Sequence, residues 1–440
     1  MICLCLCPYK QIVSSKLLNN LKIILSKLII IGAGAAGIFC AVNVARMCPQ
    51  LQVIVLEKSN HLLAKVRISG GGRCNLTHAH ESISTMSKCY PRGEQFVKKT
   101  FQSFFTKDTI EWFAQRGVKT KIEADGRMFP ESNSSESIIE CLLNEAKKYN
   151  VEIKLRCGVD KIIPPLGTNK QFTLYTTTQE KMQCDFVLVA TGGFPKAEQF
   201  QFITALGHSI SNPIPSLFTF NATKSAKTHL PKLTDLMGVV VQDTHLKIKG
   251  TKLEASGPTL ITHWGLSGPA VLTLSAYGAK VLYDADYLYE VQINWCAFFN
   301  ETNALEKIRE MRNMLGAQTI ALRNPFGLPN RLWEFLLQSA EIQPKQKWSE
   351  LQAKQQNLLA KQLCSYNFLA NGKTTYKDEF VTAGGVTLAE VTPITCESKL
   401  IPNLFFAGEI LDVDGKTGGF NFQHAWSSGW AVAKAIVAKL

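Results

Sequence analysis

Thirteen cysteines are spread along the 440 residues, and no two of them form a C-x-x-C pair. That absence argues against a zinc site, an iron–sulfur site and a dithiol redox site together, so no metal centre is expected. Scattered cysteines with apolar neighbours are the usage of reduced thiols in a cytoplasmic protein. The chain has no internal repeat and no low-complexity linker, and it lacks the high charge that would exclude a packed core. Hydrophobic residues make up 46% and charged residues 19%, which excludes wholesale disorder and a coiled coil. Met1–Cys7 is too short for a secretory h-region and no A-x-A-like cleavage site follows. Leu28–Ala45 is uncharged and about as long as a membrane span, but Gly32, Gly34, Gly37 and Asn43 interrupt it. No membrane span is expected. Hydrolase chemistry is unsupported as well: a nucleophile elbow needs G-x-S-x-G, and Pro269 stands where Gly265-Leu-Ser267-Gly268 would need its last glycine.

The formal charge is +13, of which Lys10, Lys16, Lys22 and Lys27 carry +4 before any acidic residue, leaving +9 for the remainder. Such a balance suits nucleic acid, an anionic membrane surface or an anionic cofactor. No Lys/Arg block concentrates it, so a generally basic surface is preferred over a dedicated nucleic-acid face. Residues 1–26 read as a loosely packed or unstructured extension, consistent with an upstream start site.

The organisation is that of an interrupted α/β domain. Lys27–Ile31 is a β-branched run, Ile38–Met47 has helical texture and Gln52–Glu57 is a second strand, together one β-α-β unit. Helical spacing recurs over 94–118 and Ser135–Tyr149. Phe186–Ala190 is an all-apolar strand, as in a buried parallel sheet. From 212 to 295 short alternating runs and turns predict an antiparallel, barrel-like insert, and 300–368 a small helical subdomain. The β/α texture returns at Glu379 and ends in a helix from about His424 to Lys439. The expected division is 1–26 extension, 27–195 first part of a nucleotide-binding domain, 196–378 insert (barrel 210–295, helices 300–368), and 379–440 second part. The fold class is α/β: a discontinuous, Rossmann-like nucleotide-binding domain with an inserted antiparallel β-barrel and a helical subdomain.

Gly32-Ala33-Gly34-Ala35-Ala36-Gly37 is G-x-G-x-x-G between a strand and a helix. The first glycine permits the tight turn, the second lets a pyrophosphate reach the backbone, and the third lets helix and strand pack closely. The helix start supplies free N–H groups and a positive dipole end. Glu57, twenty residues after Gly37, stands where an acid binds ribose hydroxyls and disfavours a 2′-phosphate. FAD or NAD is therefore preferred over NADP. Two later strings decide for FAD. Ala190-Thr191-Gly192 follows an apolar strand, and Phe405-Phe-Ala-Gly408-Glu409 with Asp412 follows another. In FAD folds of this type the late strand brings a carboxylate to the ribityl chain, and Gly418-Gly419-Phe420-Asn421 would point the last helix at the flavin pyrimidine end.

Ser69-Gly-Gly-Gly-Arg73-Cys74-Asn75 is the most distinctive string. A glycine nest with a guanidinium, Arg73 beside Gly71 and Gly72, suits a pyrophosphate or the electron-rich flavin edge. Cys74 reads as a small packed residue. Asn75 is either a backbone cap or a flavin contact. Lys58 and Val159 complete the cofactor-binding set. In His263-Trp-Gly-Leu-Ser-Gly-Pro269 the His–Trp pair either lines a substrate cleft or caps a turn and fills a core. His263 and His424 are the titratable candidates near these strings that work at neutral pH.

Taken together, these strings, with Val381-Thr-Ala-Gly-Gly-Val386 and Thr417-Gly-Gly-Phe-Asn421, resemble the BaiN/YhiN-like NAD(P)/FAD-dependent oxidoreductases, some of them named aminoacetone oxidases and some 3-dehydro-bile-acid reductases. The resemblance runs from about residue 27 to the C-terminus. It implies a two-dinucleotide FAD fold with an inserted barrel and helices. Phe194-Pro-Lys-Ala-Glu-Gln-Phe200 departs from the Gly-Ser-Thr-Gly-Asp-Gly stretch that many members carry there. The expected function is hydride transfer through FAD, with NAD(P)H as a transient donor, since no second G-x-G-x-x-G occurs, and a small organic substrate. The alternative is an FAD-containing RNA-binding or tRNA-modifying protein. Basic residues not interleaved with aromatics argue against nucleic acid.

Overall fold

The computed structural model describes residues 26–223, 232–374 and 381–440; the extension expected at 1–26 lies, but for Ser26, outside them. The apolar run Lys27–Ile31 is the central strand of a five-stranded parallel sheet. It pairs on one side with Gln52–Leu56, and that strand with Glu152–Lys154; on the other side it pairs with Phe186–Val189, and that strand with Leu404–Phe406. Leu28, Ile29 and Ile30 are fully buried because both faces of the sheet are covered, which is why the strand reads as unbroken hydrophobic rather than alternating. The helix Ala35–Met47 packs along the terminal helix Phe420–Val437. Gly429 lies so close to Ala36 that a Cβ would meet the Ala36 carbonyl at 2.8 Å. The first and last segments of the described chain thus build one core. A three-stranded antiparallel meander, Val159–Ile163, Phe172–Thr176 and Lys181–Cys184, precedes the strand at Phe186.

The helical stretch expected over 94–118 is two helices, Glu94–Thr100 and Thr106–Ala114. The Asp108 carboxylate accepts the Phe105 N–H at 2.7 Å and starts the second one.

The insert contains a closed six-stranded barrel, in spatial order Thr219–Ala222, Gly265–Ser267, Glu254–Ile261, Val240–Ile248, Leu288–Asn294 and Tyr366–Thr374. The barrel therefore does not end near 295. Its closing strand follows the helices Glu301–Met314, Asn330–Ser339 and Ala353–Cys364, which are an excursion within it. Nor does it begin at 210: Ile210–Ser216 pairs with Val381–Val386 outside it, the two-stranded link between insert and sheet. Local periodicity could not reveal this, because closure depends on partners 150 residues apart.

The same junction is tied by a buried ion pair. Arg92 donates to both oxygens of the fully buried Asp414 and to the Ala276 carbonyl at 3.0 Å, while Ser216 Oγ donates to Asp414 at 2.7 Å. Burial pushes the Asp414 carboxyl up, and the guanidinium opposes that shift.

Candidate functional site

A cleft of about 630 Å³ opens between the carboxyl ends of the sheet strands and the barrel, where a ligand of an open α/β sheet is expected. Its nucleotide wall begins with the first glycine loop. Gly32 has φ +109°, and a Cβ there would meet the Ala190 carbonyl at 2.4 Å. Gly37 would meet the Gly32 carbonyl at 2.0 Å and faces the strand rather than the cleft. Gly34, by contrast, has open space where a Cβ would stand. Gly34, Ala35 and Ala36 line the cleft with Gly32. Glu57 also lines it. Its carboxylate accepts the Ala33 N–H at 3.0 Å and the Ser59 N–H at 2.9 Å, which fixes the side chain at the strand end.

Lys58, Gly71, Asn75, Thr191, Gly192, Gly408, Glu409, Gly419 and Asn421 join this wall. Glu409 accepts the Thr382 N–H at 3.0 Å and pairs with Lys65 at 2.5 Å. Asn75, with its amide oriented to satisfy both neighbours, donates to the Thr77 carbonyl and accepts the Gly419 N–H, each at 3.1 Å. It is a backbone pin at the start of the terminal helix. Asn421 holds both the N–H and the carbonyl of Gly415.

Several expected contacts lie elsewhere. Arg73 is turned from the cleft: it pairs with Glu123 at 2.7 Å and stacks over Phe129 at 4.0 Å. Cys74 sits at φ +61°, fully buried, and burial pushes its thiol up to about 12, so it is an inert packed residue. Gly72, Val159, Asp412 and Phe420 do not line the cleft. The Asp412 carboxylate is occupied by the Gly384 N–H at 3.1 Å, which leaves Glu409 as the late carboxylate in the wall. Phe420 stacks on His78 at 4.8 Å. His263 is exposed, packed edge-on against Trp264. His424 does line the cleft, but burial lowers its pKa to about 4, so it is neutral at pH 7 and is no cationic acid. Its Nε2–H donates to the Gly408 carbonyl at 3.2 Å, and its buried Nδ1 has no partner among the described residues.

The insert contributes Leu217, Thr219, Ser267, Leu272 and Thr374 to the cleft, the link strand Val381, and the loop before the last helix Lys416 and Thr417, none of which carries a sequence signal of its own for this site. Ser267 lies in the string His263-Trp-Gly-Leu-Ser-Gly-Pro269, four residues beyond the exposed His263.

These residues fit a dinucleotide. The open space at Gly34 admits a pyrophosphate, Glu57 can take ribose hydroxyls, and the orphaned acceptor on His424 suits a hydroxyl or N–H of the cofactor. Fold and cleft together define a Rossmann-type α/β protein with a cleft suited to a dinucleotide. Residues 26–435 match the family described as "HI0933-like protein Rossmann domain", and the chain belongs to that family. It is 31% identical over 417 residues to a ribosomal RNA dihydrouridine synthase of Escherichia coli, covering 93% of this chain and 98% of that protein. It is 29% identical over 426 residues to a 3-dehydro-bile acid delta(4,6)-reductase of Clostridium scindens, again covering 93% and 98%. Among solved structures, 3-ketosteroid delta1-dehydrogenase of Sterolibacterium denitrificans shares the fold, with a TM-score of 0.52, 12% identity and coverage of 94% and 100%. No helix among the described residues is long and apolar enough to cross a membrane.

Proposed function

We propose that this chain is an FAD-dependent reductase of a carbon–carbon double bond conjugated to a carbonyl. The observation that carries the reading is one cleft with two unlike walls, a dinucleotide wall built by the sheet and a mixed apolar and hydroxyl wall built by the insert. FAD supplies two-electron hydride chemistry when bound and reduced. Gly34 would admit the pyrophosphate, Glu57 would take the ribose hydroxyls, and the start of the helix at Phe420 would direct its N–H groups to the flavin. The acceptor would gain a hydride at its β-carbon, with the two electrons supplied by reduced FAD, and a proton from water at its α-carbon, so that its double bond becomes single. Reduced nicotinamide is the donor that resets the cycle. It visits the cleft transiently, because the sequence holds one G-x-G-x-x-G only.

The C5=C6 bond of uracil is conjugated to the C4 carbonyl, and a delta(4,6) steroid is an extended enone. The names of the two relatives therefore share one reaction class. Uridine in RNA is the favoured acceptor. The E. coli relative, a ribosomal RNA dihydrouridine synthase, is matched over 98% of its length, which outweighs the dispersed placing of the basic residues. A small organic enone is the second reading, supported by the C. scindens relative. We place the protein in the cytoplasm; all ten cysteines described as free are buried, as suits a reducing compartment.

The test is anaerobic. Purified protein is reduced by light and then mixed with ribosomal RNA transcribed in vitro or with 2-cyclohexenone. Return of oxidised flavin absorbance, with two hydrogens gained by the acceptor, is the expected result. No reoxidation by either acceptor would overturn the reading. FMN, or no flavin, in the purified protein would overturn the cofactor assignment.

A further inference from the structure

The geometry points to Ser267 as the hydrogen-bond donor to the substrate's carbonyl, an inference that rests on the conjugated-carbonyl reading above. The insert wall of the cleft presents three hydroxyl side chains, Thr219, Ser267 and Thr374. Two are committed within the protein. Thr219 Oγ1 donates to the Thr374 carbonyl at 3.1 Å and accepts from Trp264 Nε1 at 3.2 Å. Thr374 Oγ1 donates to Asn221 Oδ1 at 2.9 Å. Ser267 Oγ has no hydrogen-bond partner among the described residues, although the residue is only partly exposed. A polar group held half out of water beside a cofactor cleft is available to a ligand at little desolvation cost.

The backbone around Ser267 is pinned on both sides. Gly265 has φ +153°, and a Cβ there would meet the Phe220 carbonyl at 2.1 Å; Gly268 has φ +98° and would meet the Pro258 carbonyl at 2.8 Å. Both flanks therefore require glycine and press the short strand between its neighbours, with Leu260 opposite Ser267 and Phe220 opposite Leu266. Strand alternation sends Leu266, fully buried, into the barrel and Ser267 to the other face, toward the cleft. Pro269 then opens the helix Pro269–Asp284, whose first turn also brings Leu272 to the cleft. The hydroxyl is thus carried by a rigid element, with an apolar neighbour to shield the hydrogen bond. A donor on the carbonyl oxygen favours the negative charge that grows there as hydride arrives at the β-carbon.

Ser267→Ala, Ser267→Thr and wild type are compared as holoenzymes. FAD content and the rate of photoreduction should be equal in all three. Reoxidation of the reduced protein by 2-cyclohexenone or by transcribed ribosomal RNA should slow about tenfold to a hundredfold in Ser267→Ala, the range for removing one donor from a developing oxyanion. Ser267→Thr should recover most of that loss. Binding of 2-cyclohexenone to the oxidised protein, read from the flavin spectrum, should weaken in Ser267→Ala alone. A Ser267→Ala rate within twofold of wild type, a Thr variant as slow as the Ala variant, or loss of FAD would each overturn the assignment. If Ser267→Ala does not fold, Ser267→Cys, similar in size but a weak donor, takes its place in the same comparison. Failure of wild type to be reoxidised by either acceptor overturns the functional reading and this inference with it. Normal reoxidation of both wild type and Ser267→Ala overturns this inference alone.

Discussion

Two glycine-rich loops look alike in the sequence and behave differently in the fold. In Gly32–Gly37 every glycine is required by a close approach or an open space that a ligand can use. In Ser69–Asn75 the glycines at 70, 71 and 72 take left-handed backbone angles, but Arg73, which looked chemical, is turned from the cleft to Glu123, and Cys74 is buried. Glycine spacing reports where the backbone must bend or be approached. It carries no information on where the neighbouring side chains point.

The largest test of this contrast is Gly32→Ala. A Cβ at φ +109° would strike the Ala190 carbonyl and displace two sheet strands, so a loss of about 3–5 kcal/mol in urea unfolding is expected, together with loss of FAD. Gly34→Ala, with open space around it, should fold normally and lose FAD affinity alone. Equal stability of both variants with wild type would remove the distinction.

The two histidines extend the comparison. His263 is exposed, whereas His424 is buried with its pKa lowered to about 4 from an ordinary 6.5. A lowered histidine stabilises the fold above its unfolded pKa, and that contribution is lost as pH falls from about 6.5 toward 4. The loss should reach roughly 3 kcal/mol at pH 4, read as a falling urea midpoint. Ser428 and Gly408 hold the neighbourhood of the ring, so His424→Gln should be less stable at pH 7 but flatter with pH. An unchanged pH slope would assign the effect to another group.

Glu57→Ala should cost about 1–3 kcal/mol of FAD affinity, the usual range for a hydrogen bond to a charged group, with the protein still soluble. Equilibrium dialysis of FAD measures it, and an unchanged affinity would make Glu57 a strand-end cap only. The smallest effect is expected at Arg73. Its pair with Glu123 is about one-third exposed on each side, so Arg73→Lys should change stability by less than about 1 kcal/mol. FAD content and the flavin potential should stay at wild-type values. A shift of the potential in spectroelectrochemical titration would restore Arg73 to the flavin and contradict its observed direction.

Much of the nucleotide half was legible because its constraints are local. An unbroken apolar strand, a glycine turn, a helix and an acid at the next strand end lie within about 30 residues, and steric exclusion at Gly32 and Gly37 leaves the chain one way to run. The barrel was legible as texture only. Its closing strand, Tyr366–Thr374, stands beyond four helices from Thr219–Ala222, the strand it closes against, and alternation within a strand does not name a partner.

The sequence by itself determined the α/β class, the position of the dinucleotide loop, the acid Glu57 and the return of the chain to the first core at its end. Only the tertiary structure decided which members of each motif reach the cleft. Arg73 is drawn aside by Glu123, fifty residues away. Asp412 is occupied by Gly384, while Glu409 remains in the wall. Ser267 lines the cleft from the insert side because glycines at 265 and 268 press its strand against partners from 220 and 258. The physical reason is the same in each case: backbone sterics act between neighbours in sequence, whereas the aim of a side chain is set by charges, acceptors and packing surfaces that only folding brings within reach.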